Sequence, residues 1–281
     1  MTSNKKLIVH IGYSKCGSTT IQDTLSANYS RLIEHKILFP KVLSASPAWL
    51  RFFWEKNLPV TYPKARIDAK FQSFSKAFRE EVSKISADTV VLSDEGLISL
   101  SEESISEFKK FLEYEFPEFE INIVIIVREP VSFFTSRCQQ FISDRYFDKV
   151  AIQDFLEGRP ITNGESRADT LAMNPVSFYS KPIGAYDRIF IIVHILKFEE
   201  AINDNGGLTH FFLKSCGIDV ILSDVRKNES RSDRAIELIA YINTRLPFSG
   251  NHHQNKFRSY GDTHALYSIT GNKEIFPKVV D

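Results

Sequence analysis

A chain of 281 residues is long enough to bury a sizeable core, as one large domain or two small ones. Hydrophobic residues make up 43% and charged residues 25%, ordinary globular values, and the formal net charge is zero. That balance supplies no long-range attraction to nucleic acid or an anionic membrane, so neither is an expected partner and any basic site must be local. The three cysteines, Cys16, Cys138 and Cys216, are odd in number, far apart and without metal-ligand spacing. They read as reduced thiols in a cytoplasm, with no metal expected. The apolar runs at 7–11, 121–127 and 189–195 are strand-length. They are too short for a signal or transmembrane segment, so a soluble cytoplasmic protein is expected.

In chain order, the run 7–11 reads as a strand and leads through a glycine-bounded turn to a helix over 18–33. A short extended piece at 37–40 ends on Pro40, and the aromatic, proline-interrupted stretch 49–63 reads as a loop or broken helix. Apolar residues Ile67, Phe71, Phe74, Phe78, Val82 and Ile85 keep a helical period over 65–85. Residues 89–92 read as a buried strand and 105–114 as a helix. The uninterrupted, β-branched run 121–127 is the clearest buried parallel strand. Pro130 suits the first turn of a helix reaching to about residue 145. A strand is expected over 188–196, then helices over 208–216, closed by Gly217, and over 232–246, ended by Pro247. Strands alternating with helices predict a three-layer α/β fold with a central parallel sheet, in a single domain spanning 1–281. Ligands then belong at the carboxyl ends of the strands.

The turn Gly12-Tyr13-Ser14-Lys15-Cys16-Gly17-Ser18-Thr19-Thr20 between strand and helix is an anion cradle in outline. The first N–H groups of the helix and its dipole both face whatever sits in the turn. Its spacing is nearly that of a Walker A loop, but the lysine is displaced. Ser18 follows the second glycine, where a nucleotide triphosphatase needs lysine to reach the β- and γ-phosphates, and the lysine lies inside the loop as Lys15. The bland alternative is an ordinary β–α turn. A second basic motif ends the strongest strand: Arg128-Glu129-Pro130, with Ser136 two turns into the following helix. Arginine's paired donors suit a phosphate, and the Ser136 hydroxyl would help hold it. A structural ion pair with Glu129 is the competing role for Arg128. Together the two motifs suggest a ligand with phosphates at both ends of a nucleoside.

These residues resemble the sulfotransferases that use 3′-phosphoadenosine 5′-phosphosulfate (PAPS), and most nearly the bacterial and Golgi-type carbohydrate sulfotransferases. The family's 5′-phosphosulfate loop reads like His10-Ile11-Gly12-x-x-Lys15-x-Gly17-Ser18-Thr19-Thr20-Ile21-Gln22, and its 3′-phosphate motif like Arg128, Pro130 and Ser136. Ser93-x-Glu95 and Asn228-x-Ser230 extend the likeness across most of the chain. The resemblance implies a sulfotransferase fold akin to the P-loop kinases and PAPS as donor, with 3′,5′-adenosine bisphosphate (PAP) as product. It also implies donor contacts from Lys15, Cys16, Gly17, Ser18, Thr19, Thr20, Arg128 and Ser136. Cys16 replaces a customary threonine, and Phe133 stands where many members carry another arginine, for which Arg137, Arg226 and Lys227 are candidate substitutes.

Sulfuryl transfer needs positioning and charge stabilisation more than covalent help from protein. Lys15 is expected at the leaving oxygen. Glu95, just after a predicted strand on the same edge, is expected to take the acceptor's proton, and the resemblance also places a glutamate there. Its competing role is a lysine pair or a helix cap. His10 reads as a core group or one that supports the site from behind, and His252 and His253 as residues of the polar tail that could line the acceptor cleft. The acceptor implied is a small molecule or saccharide hydroxyl, a glycolipid precursor included. A P-loop nucleoside or metabolite kinase and a non-catalytic nucleotide-binding protein are the alternatives. The cluster Trp49, Phe52, Phe53, Trp54 and Tyr62 reads as packing on the Phe71 helix before it reads as a sugar platform.

Overall fold

In the computed structural model, five strands form one sheet, all of them parallel: β1 (Lys5–His10), β2 (Ile37–Leu38), β3 (Thr89–Ser93), β4 (Phe119–Val127) and β5 (Ile192–Lys197). The described residues are 5–44, 64–143 and 175–225, with Ile236. Their helices are α1 (Ser18–Ala27), α2 (Tyr29–Glu34), α3 (Lys41–Ser44), α4 (Lys64–Lys84), α5 (Glu102–Glu115), α6 (Pro130–Ser143), α7 (Pro175–Ile189), α8 (Phe198–Ile202) and α9 (Gly207–Ser215). The chain divides into two compact units, one of Met1–Glu129 with Pro175–Asn228 and one of Pro130–Asn174 with Glu229–Asp281. The sheet and all the helices except α6 lie in the first. The expected α/β architecture, a central parallel sheet with flanking helices, is the one observed.

The strand order is β2-β3-β1-β4-β5. The chain leaves β1 toward β2 and β3 on one side, then crosses to β4 on the other. The loop after β1 therefore opens at the point where the winding reverses, which is where such sheets bind ligands. His10 stands level with Ser93 and Val124, so β1, β3 and β4 bring their carboxyl ends to one edge. Leu7, Ile8 and Val9 of β1 and Ile123 to Ile126 of β4 are fully buried, as unbroken apolar runs in a parallel sheet require. Phe78 of α4 meets Phe116 edge-on at 5.5 Å. Among the flanking helices, α1 packs on α9, and α5 on α7.

Two predicted elements are corrected. The helix over 18–33 is broken at Asn28, whose backbone leaves helical geometry (φ −102°, ψ 21°) while its side-chain amide donates to the Thr24 carbonyl at 2.8 Å. Asparagine competes with the helix for its own carbonyls, so the chain turns into α2 there. The strand over 188–196 begins only at Ile192, because α7 runs on to Ile189 despite Pro182 in its interior. The Gly217 stop is borne out in detail. Gly217 (φ 77°) donates to the Lys214 carbonyl and Ile218 to that of Leu213, the paired bonds of a Schellman ending. The 49–63 aromatic segment, the 232–246 helix, Asn228, Ser230 and the polar tail with His252 and His253 lie outside the described residues.

Candidate active site

Residues 11–17 carry the chain from the end of β1 into α1, and two of them take left-handed backbone: Lys15 at φ 67° and Gly17 at φ 86°. Glycine accepts that geometry freely, whereas lysine does so at a cost of roughly 1–2 kcal/mol. Gly17 is also the N-cap of α1, and no side chain among the described residues caps the helix there. Its first N–H groups and the positive end of its dipole thus face the loop. Neither glycine has room for a side chain. A Cβ on Gly12 would stand 2.8 Å from His10 Nε2, and one on Gly17 would run into Leu208 and Phe198. Ser18 Oγ is buried against this loop without a hydrogen-bond partner among the described residues. Thr19 is exposed and Thr20 half-buried on the same first turn. Uncapped N–H groups, a dipole end and an orphaned hydroxyl suit an anion.

Three parts of the fold hold the loop from outside. Arg128, at the end of β4, donates from Nη1 to the Lys15 carbonyl at 3.1 Å and stacks over the Phe198 ring at 4.9 Å. The predicted arginine therefore stands beside the predicted lysine loop. Tyr179 donates from its hydroxyl to the Arg128 carbonyl at 2.8 Å. Leu208 and Phe198, which close over Gly17, belong to α9 and α8. Asp224 caps α9 by accepting from the N–H groups of Leu208 and Thr209 at 2.7 and 3.2 Å. His210 ties the same helix down, with Asp204 2.8 Å from Nδ1 and Asp219 3.0 Å from Nε2.

The third support explains α7. Pro182 has no N–H, so the Phe178 carbonyl one turn earlier loses its helical donor. The Tyr13 hydroxyl of the loop donates to that carbonyl instead, at 3.0 Å, and its ring meets Tyr179 edge-on at 4.8 Å. Burial, then the neighbouring Tyr179 and Cys16, push the Tyr13 phenol well above its usual pKa, so it remains a donor. Tyr13→Phe is expected to cost about 1–3 kcal/mol in urea unfolding, because it orphans the carbonyl. The same change in a Pro182→Ala background is expected to cost distinctly less, since that replacement restores a backbone N–H to the helix. Equal losses in both backgrounds would show that Tyr13 stabilises in some other way.

Glu95 and its neighbour Asp94 part company after β3. Asp94 is fully buried and caps a short 3-10 turn (Glu95–Ser99) by accepting from the Gly96 N–H at 2.7 Å. Glu95, at the first position of that turn, is exposed. The capping role considered for Glu95 is thus filled by Asp94, while Ser101 caps α5 by accepting from the Ser104 N–H. Burial pushes the Cys16 thiol up to about 12, with Arg128 pulling it down and the Glu199 and Glu95 carboxylates raising it further. The Cys16 thiol thus feels the charges of Arg128, Glu199 and Glu95. Sequence reasoning missed Glu199, whose carboxylate accepts from the Glu129 N–H at 3.0 Å, and it missed Tyr13, Tyr179 and Phe198.

His10 is fully buried at the end of β1, with Nδ1 2.8 Å from Ser93 Oγ, a position that fits either of the two roles expected of it. Burial lowers its pKa from 6.5 to about 4. Between those values the unfolded chain takes up a proton that the folded one refuses. Stability therefore falls as pH drops below 6.5 and levels off near 4, by roughly 3 kcal/mol in all. Urea midpoints for wild type and His10→Gln are expected to diverge across this window and to run parallel above it.

Ser136 and Arg137 are half-buried and Phe133 buried on α6, which belongs to the second unit. The Cys138 side chain, Arg226 and Lys227 lie outside the described residues. Among the described residues no group of three or more side chains is placed to hold a metal ion, and no helix is long and apolar enough to cross a membrane. No family model matches the chain, and no curated protein matches it. Among solved structures the chain is similar to one described as the crystal structure of a sulfotransferase from Alicyclobacillus acidocaldarius. The two are 15% identical with a TM-score of 0.49, over 83% of this chain and 90% of that one.

Proposed function

We propose that this chain is a cytoplasmic enzyme that moves a sulfuryl group from PAPS to the hydroxyl of a small-molecule acceptor, of which a saccharide or glycolipid is the favoured class, without a metal. One observation carries the reading. The lysine loop, Glu95 and Arg128 leave the carboxyl ends of three adjacent parallel strands at one edge, with Arg128 bonded to the lysine's own carbonyl. The glycine-bounded loop and the uncapped start of α1 suit the 5′-phosphate, with Ser18, Thr19 and Thr20 as donors and Cys16 contributing its backbone. Arg128 is assigned to the 3′-phosphate.

In the reaction, the acceptor oxygen forms a bond to sulfur as the bond from sulfur to the bridging phosphate oxygen breaks. The electron pair leaves on the 5′-phosphate of PAP, and the acceptor's proton passes to the Glu95 carboxylate. Lys15 offsets the charge that builds on the leaving oxygen, where a preorganised donor is most effective. The neutral Cys16 thiol takes no nucleophilic part, because only the thiolate attacks.

Calorimetric titration with 3′,5′-adenosine bisphosphate, beside 5′-adenosine monophosphate and ATP with magnesium, tests the donor. The bisphosphate is expected to bind best, and Lys15→Ala to weaken it by about tenfold or more, the worth of one charge-assisted hydrogen bond. Preference for ATP, or binding of none of the three, would overturn the assignment.

A further inference from the structure

Two buried polar atoms flank the glycine at the mouth of the loop. His10 Nε2 and Ser18 Oγ lie 2.8 and 3.4 Å from the point where a Cβ on Gly12 would stand, and neither has a hydrogen-bond partner among the described residues. His10 is fully buried and Ser18 is 3% exposed. A buried orphan costs on the order of 1–3 kcal/mol, so a pair of them beside a helix N-terminus needs a reason. Both border the same small space in front of Gly12, and a change of serine rotamer moves Oγ within it.

The proton on the imidazole can be placed by following the bonds behind it. Gln22 Nε2 lies 3.3 Å from the Ser93 carbonyl oxygen, which can only accept, so the amide faces Ser93 with its NH2 group. The same nitrogen is 3.2 Å from Ser93 Oγ. Ser93 Oγ thus accepts from Gln22, and among the described residues the one acceptor within reach of its own hydrogen is His10 Nδ1, 2.8 Å away. Nδ1 then accepts, and the imidazole carries its proton on Nε2, the atom that shares the Gly12 space with Ser18. Burial keeps the ring neutral at any pH above about 4.

We propose, on the reading of the loop as a phosphate site, that His10 is a positioning residue: Gln22 and Ser93 fix it as the Nε2–H tautomer, and that N–H donates to Ser18 Oγ when an anion enters, which commits the Ser18 hydroxyl proton to the anion. A hydroxyl with its acceptor side occupied no longer chooses between accepting and donating. His10 touches no ligand and acts through Ser18. The arrangement also explains why Gly12 must lack a side chain, since a Cβ would fill the space that both atoms border.

Calorimetry with 3′,5′-adenosine bisphosphate on wild type, Ser18→Ala, His10→Leu and the double variant reads the coupling. Each single change is expected to weaken binding about tenfold, and the double variant no more than about twofold beyond Ser18→Ala. Gln reaches the Nε2 position and Asn does not, so His10→Gln should recover most of the affinity and His10→Asn little. Nitrogen-15 spectra of histidine-labelled wild type should place the His10 proton on Nε2, a measurement that needs no variant to fold. Additive losses approaching a hundredfold, an unaffected His10→Leu, or a proton on Nδ1 would overturn the positioning role. If any of these occurs while wild type binds bisphosphate and Lys15→Ala binds it about tenfold or more weakly, the donor assignment stands and only the His10 role falls. If wild type binds neither bisphosphate nor pyrophosphate, both fall.

Discussion

Glu95→Gln is expected to lower turnover by about 10²–10⁴-fold, the usual worth of a positioned general base, while bisphosphate affinity stays within about twofold. The split follows from how the two carboxylates after β3 divide their work. Asp94 is buried and holds the start of the 3-10 turn through the Gly96 N–H, so the fold depends on it. Glu95 is exposed at the sheet edge where the loop also opens, and glutamine keeps its shape while removing its basicity. Asp94→Asn should do the reverse, costing stability while leaving turnover per folded molecule close to normal. Steady-state kinetics beside calorimetry on both variants separates the roles. A Glu95→Gln protein that turns over normally, or that loses donor affinity in step with turnover, would remove Glu95 as the base.

Gly17→Ala is expected to lower folding stability by about 2–5 kcal/mol and to abolish bisphosphate binding. Two costs add. The left-handed φ of 86° is worth roughly 1–2 kcal/mol to any residue with a Cβ. The new methyl would also collide with Leu208, which is only 4% exposed, and overpacking of that kind adds about 1–3 kcal/mol. Trimming the obstacle tests the account. In a Leu208→Ala background the collision term should vanish and the backbone term remain, so Gly17→Ala should cost less there than in wild type. Denaturant unfolding of the four proteins measures the coupling, and strictly additive losses would refute the packing half.

Much of this arrangement is legible in the residues themselves, because it rests on local chemistry. An apolar run ending in Gly12, a second glycine at 17 and a helix opening on Ser18 announce a strand, a turn and a helix N-terminus whatever the rest of the chain does. Arg128 at the end of the most continuous apolar run is legible for the same reason, since parallel strands share one carboxyl edge. What could not be read is non-local. Pro182 and Gly184 argue against a helix through 175–189, and the carbonyl that the proline strands in α7 takes its donor from Tyr13, far back in the chain. The short α8, which puts Phe198 under Arg128 and Glu199 against Glu129, is five residues long and has no period to detect. Asp94 and Glu95 look alike in sequence, and only burial distinguishes the cap from the exposed carboxylate.

The supports of the lysine loop also impose an order in time. The loop itself is made early in synthesis, at residues 11–17. Its fastenings emerge much later: Arg128 for the Lys15 carbonyl, Phe178 for Tyr13, then Phe198 and Leu208 over Gly17. A nascent chain that has released only β1, β2 and β3 from the ribosome holds the loop residues without these later fastenings. Contacts so distant in sequence form slowly, because the intervening chain must be closed first. On the proposed function, ligand affinity should therefore be acquired late and abruptly, once Leu208 of α9 has packed over Gly17, so that binding of the bisphosphate would certify that the whole sheet-bearing unit has been assembled.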